Sequence, residues 1–242
     1  LRLADENLLA LRQQTRARFS PSLSYGRNFG PPCPKAKPAA VMILLEPSSP
    51  PARPHDTQHP TTQHPTTQHP TTQHPTAGHP TTPDSLASNW ASHWSIPLTV
   101  RPNHLPDHPG QVSLPGGRLE AGEDFVQAAQ RELCEELGFA SFPGQVIGEL
   151  QPLHVYNSNY FVKPFLAIAR EPLVYTPCER EVDRVLRLPL ASLLNTELHQ
   201  SGRFSRGRAA WQAPMLDIDG VAVWGATAIF LGELIGLLSP PQ

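Results

Sequence analysis

The sequence predicts one domain of the mixed α/β class, with additional segments that lie outside its core. Three observations support this: several apolar runs of strand length, one amphipathic helical stretch between them, and a chain of 242 residues, which has room for one ordinary domain. Lys plus Arg number 19 and Asp plus Glu number 21, so the chain has no strong positive field. We therefore expect no nucleic-acid partner.

The first core strand is predicted at residues 39–45, an apolar run that is too short for a buried helix. Residues 1–37 precede it as a Pro-rich lead-in, with a short amphipathic helix predicted at residues 4–19. At about residues 48–88 we expect a disordered insert in the domain 38–242. Its repeat of TQHPT over residues 57–82 offers no apolar side chains to bury, and its regular prolines prevent helix or ladder pairing.

The histidines of this repeat admit two interpretations. They are typical of a metal-binding tract, or they belong to a tandem duplication that a loop tolerates because added loop length costs little entropy. Equilibrium dialysis of Zn²⁺ or Ni²⁺ against the isolated tract separates a metal-sequestering role from simple expansion.

The strands and the last helix follow from the remaining apolar runs. A second strand is predicted at residues 96–101, and pairing with residues 39–45 would make the repeat the tip of their connection. The run 221–238 predicts a helix packed on the sheet rather than a membrane span, since Glu233 would cost about 2.5–3.5 kcal/mol near a bilayer centre. Further strands are predicted at residues 146–150, 160–169 and 182–190.

Cysteine usage indicates a reducing compartment. Cys33, Cys134 and Cys178 are too few and too scattered for a disulfide framework, so we expect three free thiols. The chain start also lacks a basic leader followed by an apolar run. A cytoplasmic location is therefore expected.

The segment after residue 114 predicts a loop, a helix and a second loop. Residues 115–117 predict a tight turn, residues 124–137 a helix, and Gly138 its left-handed C-terminal cap. Apolar residues recur at every fourth position from Phe125 to Leu137. This stripe predicts a helix face that docks on a sheet.

Three carboxylates crowd the end of this helix. Glu132, Glu135 and Glu136 lie within one helical turn of each other, where the helix dipole already disfavours negative charge. Such a cluster is most often a solvated acidic face, but it is also the arrangement that a hard divalent cation compensates. It predicts a Mg²⁺ or Mn²⁺ site that also receives substrate phosphates.

The string from Gly117 to Phe139 matches every specified position of the Nudix box, GX5EX7REUXEEXGU, where U is aliphatic or bulky apolar. The chain therefore resembles the Nudix hydrolase family. This resemblance implies an α/β/α sandwich with a mixed sheet and a loop-helix-loop catalytic motif. It also implies hydrolysis of a nucleoside diphosphate linked to another moiety.

Residues 98–117 look like the signature of the coenzyme A diphosphatase subfamily, which leads directly into the Nudix box. Two positions depart from it, since Pro106 replaces the usual Arg and Leu114 the usual Phe. The resemblance implies hydrolysis of coenzyme A or its derivatives to 4'-phosphopantetheine, or its acyl form, and adenosine 3',5'-bisphosphate. Hydrolysis of NADH, ADP-ribose or another dinucleotide is the alternative.

The resemblance also assigns roles by position. It implies that Glu132, Glu135 and Glu136 hold the Mg²⁺ or Mn²⁺ ion, with the carbonyl of Gly117 as an additional ligand. Arg131 would orient Glu132, and Glu123 would brace the loop from its far end. The general base is either Glu132, acting through a water, or Glu181, which is alternatively an ordinary loop charge.

Substrate contacts are expected upstream of the helix. The residues concerned are Arg101, His108, Gly110, Gln111 and Gly116, with Arg101 and His108 candidates for the 3'-phosphoribosyl part of the ligand. The expected partner is a small nucleotide substrate, with no membrane, and a homodimer stays an open alternative. A Nudix-fold binding module without activity is the alternative from another class, although no residue of the box is lost.

Deleting residues 57–82 should leave kcat/KM within about twofold of the full chain, because the repeat is expected to lie outside the packed core. Steady-state kinetics on the two proteins measures this. A loss of about tenfold would instead show that the repeat helps to position the site.

Overall fold

The computed structural model describes residues 35–48, 90–105, 109–155, 158–206, 209–218 and 220–238. Four predictions fall outside these residues and are not tested by the structure. They concern the helix at residues 4–19, the thiol of Cys33, the repeat at residues 57–82, and His108.

A mixed β-sheet forms the centre of the fold. Its strands are β1 (Lys37–Pro47), β2 (Trp94–Val100), β3 (Val112–Ser113), β4 (Gly116–Arg118), β5 (Gly144–Glu149), β6 (Leu153–Val155), β7 (Tyr160–Ala169) and β8 (Arg184–Pro189). The main order is β3-β2-β1-β7-β5, with β4 paired to β1, β6 to β7 and β8 to β2. A smaller sheet has the order β11-β10-β9 and consists of β9 (His199–Arg206), β10 (Ala209–Ile218) and β11 (Val221–Trp224).

The predicted strands are confirmed, and β1 lies at their centre. It runs parallel to β7 and antiparallel to β2. The pairing with β2 joins Glu46 to Ser95 and Pro47 to Trp94, just beyond the ranges 39–45 and 96–101 for which it was considered. Both faces of β1 are covered. Met42 and Leu44 pack into one apolar cluster, while Ile43 and Leu45 pack into the other. Burial on two faces explains why this strand is a continuous apolar run rather than an alternating one.

Among the residues that the structure describes, three complete α-helices accompany the sheets: α1 (Phe125–Leu137), α2 (Leu190–Leu194) and α3 (Gly225–Leu238). Helix α1 packs against β1, β4 and β7 on one side, whereas α3 packs with β10, β11 and α2 in the other cluster. The result is the predicted arrangement of a mixed sheet between helical layers.

Helix α1 begins and ends as its sequence predicts. The Asp124 side chain accepts a hydrogen bond from the Gln127 amide at 2.8 Å, and the Gln127 side chain accepts one from the Asp124 amide at 2.9 Å. This reciprocal pair satisfies two amides at the helix start. Gly138 ends the helix with a φ of +79°, the left-handed conformation that favours glycine. The predicted apolar stripe is confirmed, since Ala129, Leu133 and Leu137 are fully buried against the sheet.

Two local predictions were wrong. Residues 116–118 form β4, which pairs with β1 through Val41 and Gly116, rather than a tight turn. The run 221–238 does not begin as a helix, because residues 221–224 form β11 and only Gly225 starts α3. Residues 116–118 pair with β1, which is distant in sequence, whereas residues 221–224 pair with the preceding strand β10, which was not itself predicted. Within the described residues, none of the helices is both long and apolar enough to span a membrane.

The β9–β10 hairpin had no counterpart in the predicted elements. Eight register pairs join its strands, from Leu216 with His199 to Ala209 with Arg206. Gly202 and Pro214 lie within the two strands and oppose regular strand propensity, which weakened the signal. Pairing with β11 stabilises β10 in spite of this.

Replacing Gly138 by Ala should lower the free energy of unfolding by at least about 1 kcal/mol, because a non-glycine residue is strained in the left-handed region. An added Cβ would also overlap the backbone carbonyl oxygen of Thr176. Gly122→Ala is the matched control, since Gly122 has a φ of +89° but no neighbour within 4 Å of an added Cβ. Urea unfolding should show the larger loss for Gly138→Ala, and equal losses would contradict a tight contact between α1 and Thr176.

Candidate active site

Three carboxylates from two parts of the chain meet beside the end of α1. Glu132 and Glu136 lie one helical turn apart on α1, and Glu181 belongs to residues 170–183, which connect β7 to β8. One carboxylate oxygen from each of the three lies within 4.8 Å of the other two. Glu132 is half-buried, Glu136 is buried and Glu181 is exposed, so the group opens to solvent on one side.

Glu136 is the most deeply placed of the three. Its exposed fraction is 6%, and its Oε2 atom accepts no hydrogen bond from the described residues. Burial, followed by the charges of Glu132 and Glu181, raises the pKa of Glu136 to about 8, against smaller opposing effects of the Thr99 hydroxyl and the Gly116 amide. A buried carboxylate with an unpartnered oxygen is costly unless a cation or a proton compensates it.

Arg131 organises the carboxylates that surround the site. Its Nε donates to Glu123 Oε1 at 2.7 Å, and a terminal nitrogen donates to Glu135 Oε2 at 2.9 Å. The same guanidinium lies 3.1 Å from Glu132 Oε1 and donates to the Arg118 carbonyl at 3.0 Å. Arg131 therefore ties the loop before α1 to the helix and fixes Glu132 from one side, as the resemblance implies.

The charged groups of this network shift one another's pKa values. The hydrogen bond from Arg131 holds the pKa of Glu123 below its usual range, and the pKa of Arg131 is raised in turn. Burial raises the pKa of Glu132 although Arg131 opposes the shift, and the nearby Glu135 and Glu181 raise it further. Arg131 thus offsets only part of the negative charge, which leaves room for a cation.

The backbone of residues 170–183 is bonded to the end of α1. The Thr176 amide donates to the Leu137 carbonyl at 3.0 Å, and the Cys178 amide donates to the Glu136 carbonyl at 3.1 Å. These carbonyls belong to the last helical turn and have no partner within the helix. The hydrogen bond from Cys178 to the Glu136 carbonyl places the segment that carries Glu181 beside the carboxylates of the helix.

The donor set fits a hard divalent cation. Carboxylate oxygens are the ligands that Mg²⁺ and Mn²⁺ prefer, and the unpartnered Glu136 Oε2 gives the group an atom that needs a positive partner. Gly117 lies directly against Glu132, since an added Cβ would overlap the Glu132 carboxylate. Its predicted role as a carbonyl ligand stays a prediction.

Glu135 lies outside the carboxylate cluster, unlike Glu132 and Glu136, with which it was predicted to bind a metal ion. Its side chain is 54% exposed and hydrogen-bonded to Arg131, and it is not among the three carboxylates that cluster. Glu181, in contrast, which the sequence left open between a catalytic role and a loop charge, lies within the cluster. The metal assignment of Glu135 therefore stays a prediction without direct geometric support.

The predicted substrate residues lie mainly around the β2–β3 connection. The Arg101 amide donates to the Gln111 carbonyl at 3.0 Å, and the Gly110 amide donates to the Arg101 carbonyl at 3.1 Å, so these three are brought together. Gly116 lies apart from them on β4, where its φ of +154° lets the backbone pass close to Ala40 and Val41. Their contacts with substrate stay a prediction.

Sequence reasoning missed Thr99. Its hydroxyl lies 3.1 Å from the Ser113 hydroxyl and is one of the groups that lower the pKa of Glu136. Thr99 is buried at the end of β2, in the same stretch that resembles the subfamily signature. A polar residue within an otherwise apolar strand was the available signal. Cys134 and Cys178 are free thiols, as the sequence predicts, and burial, followed by the charge of Glu135, raises the pKa of the Cys134 thiol.

Comparisons with known proteins identify what this chain is similar to. The NUDIX domain family matches residues 95–205. Human mitochondrial coenzyme A diphosphatase NUDT8 is 35% identical over 146 residues, which are 59% of this chain and 62% of that protein. The Nudix hydrolase NudL of Escherichia coli is 33% identical over 144 residues, which are 57% of this chain and 71% of that protein. The solved Nudix hydrolase RenU of M. smegmatis is 17% identical with a TM-score of 0.39, covering 64% of this chain and 71% of that one.

A mixed sheet between helical layers, with the loop-helix-loop glutamates at one helix end, defines a Nudix-type domain. The chain belongs to the Nudix hydrolase family. It spans 62% of the length of the human relative, so what it acts on is a matter of proposal.

Without divalent cations, the protein should lose stability as the pH rises from about 4.5 to about 8. Glu136 binds its proton more tightly in the folded state than the ordinary value of 4.5 allows, with a pKa of about 8. Its contribution is therefore fully present below pH 4.5 and is lost as the pH rises through about 8, because the folded state then holds an unshielded buried charge. Chelator-treated protein unfolded by urea across this range measures the effect.

Glu136→Gln is the control for this pH dependence, since it keeps the shape of the side chain and removes its titration. Its stability should fall less steeply over the same range. An unchanged slope in Glu136→Gln would show that another group causes the dependence.

Proposed function

We propose that this protein hydrolyses the diphosphate bond of coenzyme A or its derivatives, with Mg²⁺ or Mn²⁺ as its metal ion. The products are 4'-phosphopantetheine, or its acyl form, and adenosine 3',5'-bisphosphate. The observation that carries the proposal is the cluster of Glu132, Glu136 and Glu181, with its unpartnered buried oxygen, in a chain 35% identical to a coenzyme A diphosphatase.

Each acidic residue has a distinct part in the proposed reaction. Glu132 and Glu136 would hold the metal ion from α1, and Glu181 would add a carboxylate oxygen from the β7–β8 connection. Such an ion would supply positive charge to neutralise the diphosphate and to lower the pKa of the attacking water. Arg131 keeps Glu132 oriented through its hydrogen bonds to Glu123 and Glu135, so that little rearrangement is required when substrate binds.

The general base is assigned to one of two carboxylates. Glu181 is exposed and lies at the open side of the cluster, where a water and a substrate phosphate have access. Glu132 is half-buried and bound by Arg131, so a water and a substrate phosphate have less access to it than to Glu181. These positions favour Glu181 as the group that takes the proton from the attacking water.

The substrate side of the site is proposed to lie along the β2–β3 connection. Arg101 and Gln111 lie there, bonded to each other through their backbones. Arg101 follows two positions after Thr99, whose hydroxyl opposes the rise in the pKa of Glu136. An arginine at this place suits the 3'-phosphate that distinguishes coenzyme A from NADH and ADP-ribose. Comparing the activity of Glu135→Gln with that of Glu136→Gln distinguishes a residue that supports the site through Arg131 from a proposed metal ligand.

The proposed cellular setting is the cytoplasm. The cytoplasmic location rests on cysteine usage, whereas the human relative carries the word mitochondrial in its name. A small nucleotide is the proposed partner, and a homodimer is the assembly that size-exclusion chromatography should test.

A product assay tests the proposed function. Coenzyme A, an acyl-CoA, NADH and ADP-ribose are incubated separately with the full chain and Mg²⁺ or Mn²⁺, and the products are identified by mass spectrometry in water enriched in ¹⁸O. Coenzyme A or its acyl form should have the highest kcat/KM, with one ¹⁸O atom entering a product phosphate per turnover. Preference for NADH or ADP-ribose would overturn the substrate assignment and keep the hydrolase.

Matched variants test the metal site in the same assay. Glu136→Gln should lower kcat at least about tenfold, because it removes a charge from the cluster itself. Glu135→Gln, made on the adjacent exposed residue, should have a smaller effect. Turnover by Glu136→Gln equal to the unmodified chain at saturating Mg²⁺ would contradict the assignment.

A further inference from the structure

A second buried carboxylate lies outside the proposed metal site. Glu46, at the end of β1, has no exposed surface although it follows a continuous apolar run. It takes no part in the reaction proposed above. Burying an ionised carboxylate costs several kcal/mol unless its oxygens are fully partnered. The burial of Glu46 therefore depends on the groups that donate hydrogen bonds to its carboxylate.

The partners of Glu46 come from three other elements. The Tyr175 hydroxyl donates to Oε1 in a short hydrogen bond, and Arg187 Nε donates to the same oxygen at 3.0 Å. The Leu173 amide donates to Oε2 at 3.1 Å, and the Ser95 hydroxyl lies 3.4 Å from Oε1. We refer to Glu46, Tyr175 and Arg187 as the Glu46 cluster.

This cluster holds the first half of residues 170–183. Leu173 and Tyr175 lie on that segment, while Glu46 and Arg187 lie on the sheet. Arg187 also donates to the Leu173 carbonyl at 2.6 Å and places its guanidinium 4.5 Å from the centre of the Tyr175 ring. The Tyr175 ring packs edge-on against Phe139, just beyond α1, with 6.0 Å between ring centres. The segment is thus fixed to both the sheet and the helix end.

The second half of the segment continues from this anchor to Glu181. The amide of Thr176, next to Tyr175, donates to the Leu137 carbonyl at 3.0 Å, and that of Cys178 donates to the Glu136 carbonyl at 3.1 Å. The Cys178 carbonyl then accepts from the Glu181 amide at 2.9 Å. A chain of backbone hydrogen bonds, linked by the short covalent segments between them, therefore runs from the residue after Tyr175 to the backbone of Glu181.

This chain holds Glu181 from one side, and on the other side the Asp183 amide donates to the Val100 carbonyl at 2.8 Å. Its side chain is exposed and belongs to neither a helix nor a strand, so side-chain packing does not fix it. Glu132 and Glu136, in contrast, are fixed by their helix. Polar networks in which every member is satisfied favour one backbone arrangement over alternatives.

We propose that the Glu46 cluster is a positioning device which holds Glu181 within reach of Glu132 and Glu136, so that the three carboxylates together bind a divalent cation. Tyr175, Glu46 and Arg187 are positioning residues that act through the backbone of residues 173–181. The inference rests on the proposed function, because it concerns the same metal site.

Tyr175→Phe is the primary test, because it removes one hydroxyl and keeps the ring. The dissociation constant of Mn²⁺ is measured by electron paramagnetic resonance in the unmodified chain, Tyr175→Phe, Glu181→Gln and the double variant. Tyr175→Phe should weaken Mn²⁺ binding at least about threefold in the unmodified background and by less than about 1.5-fold when Glu181 is already Gln, since coupled residues are not additive. Equal weakening in both backgrounds would overturn the inference.

Hydrogen–deuterium exchange supplies a readout that needs neither metal nor turnover. Tyr175→Phe should speed amide exchange at Cys178 and Glu181, whose amides belong to the chain of hydrogen bonds. Unchanged exchange at these amides would count against the proposal. Arg187→Lys is the second variant, made on the more exposed side of the cluster, and it should act in the same direction.

Two matched controls separate positioning from general destabilisation. Ser95→Ala removes a contact to Glu46 that does not involve residues 170–183. Glu233→Gln alters another buried carboxylate, which accepts from the Gln151 amide at 2.8 Å on a different element. Neither should weaken Mn²⁺ binding in a Glu181-dependent manner, and coupling of the same size in either control would overturn the inference.

The outcomes also distinguish the two proposals. Coupling between Tyr175 and Glu181 in a protein that hydrolyses none of the tested dinucleotides would reject the proposed function and keep the positioning device. Hydrolysis of coenzyme A without coupling between Tyr175 and Glu181 would keep the proposed function and reject the positioning role of the Glu46 cluster.

Discussion

The structure depends on how a group of like charges is held together at the end of one helix. Glu132, Glu136 and Glu181 lie within 4.8 Å of one another, and burial raises the pKa values of the first two. This arrangement opposes folding in the absence of a cation. The surrounding fold must therefore supply stability elsewhere, and it does so by burying the apolar face of α1 against the central strand β1.

Two kinds of contact then shape the site. On one side Arg131 binds Glu123, Glu132 and Glu135, so that the loop before α1 is tied to the helix. On the other side the β7–β8 connection is hydrogen-bonded to the last carbonyls of α1. The same contacts that complete the helix end also deliver Glu181. Stability of the helix terminus and assembly of the carboxylate cluster are thus linked.

The elements that sequence predicted well are those whose signals are local. Helix α1 begins at the capping pair Asp124 and Gln127 and ends at Gly138, because capping is decided within a few residues. Strand β1 could be predicted because a strand that is buried on both faces has an uninterrupted apolar run. Strands β4 and β11 were not predicted, since each is stabilised by hydrogen bonds to a partner strand that is remote in sequence or weakly patterned. The β9–β10 hairpin was missed for the same reason.

By itself the sequence determined the helix that bears the carboxylates, the arginine that braces them, and the family to which the chain belongs, because spacing along a helix fixes which side chains share a face. Tertiary structure alone decided which glutamates meet. It brought Glu181 into the cluster, left Glu135 on the solvent side with Arg131, and buried Glu46 beneath Tyr175 and Arg187. The positions of these side chains depend on how residues far apart in sequence pack together in the sheet and its connections. No pattern of neighbouring residues specifies such long-range contacts.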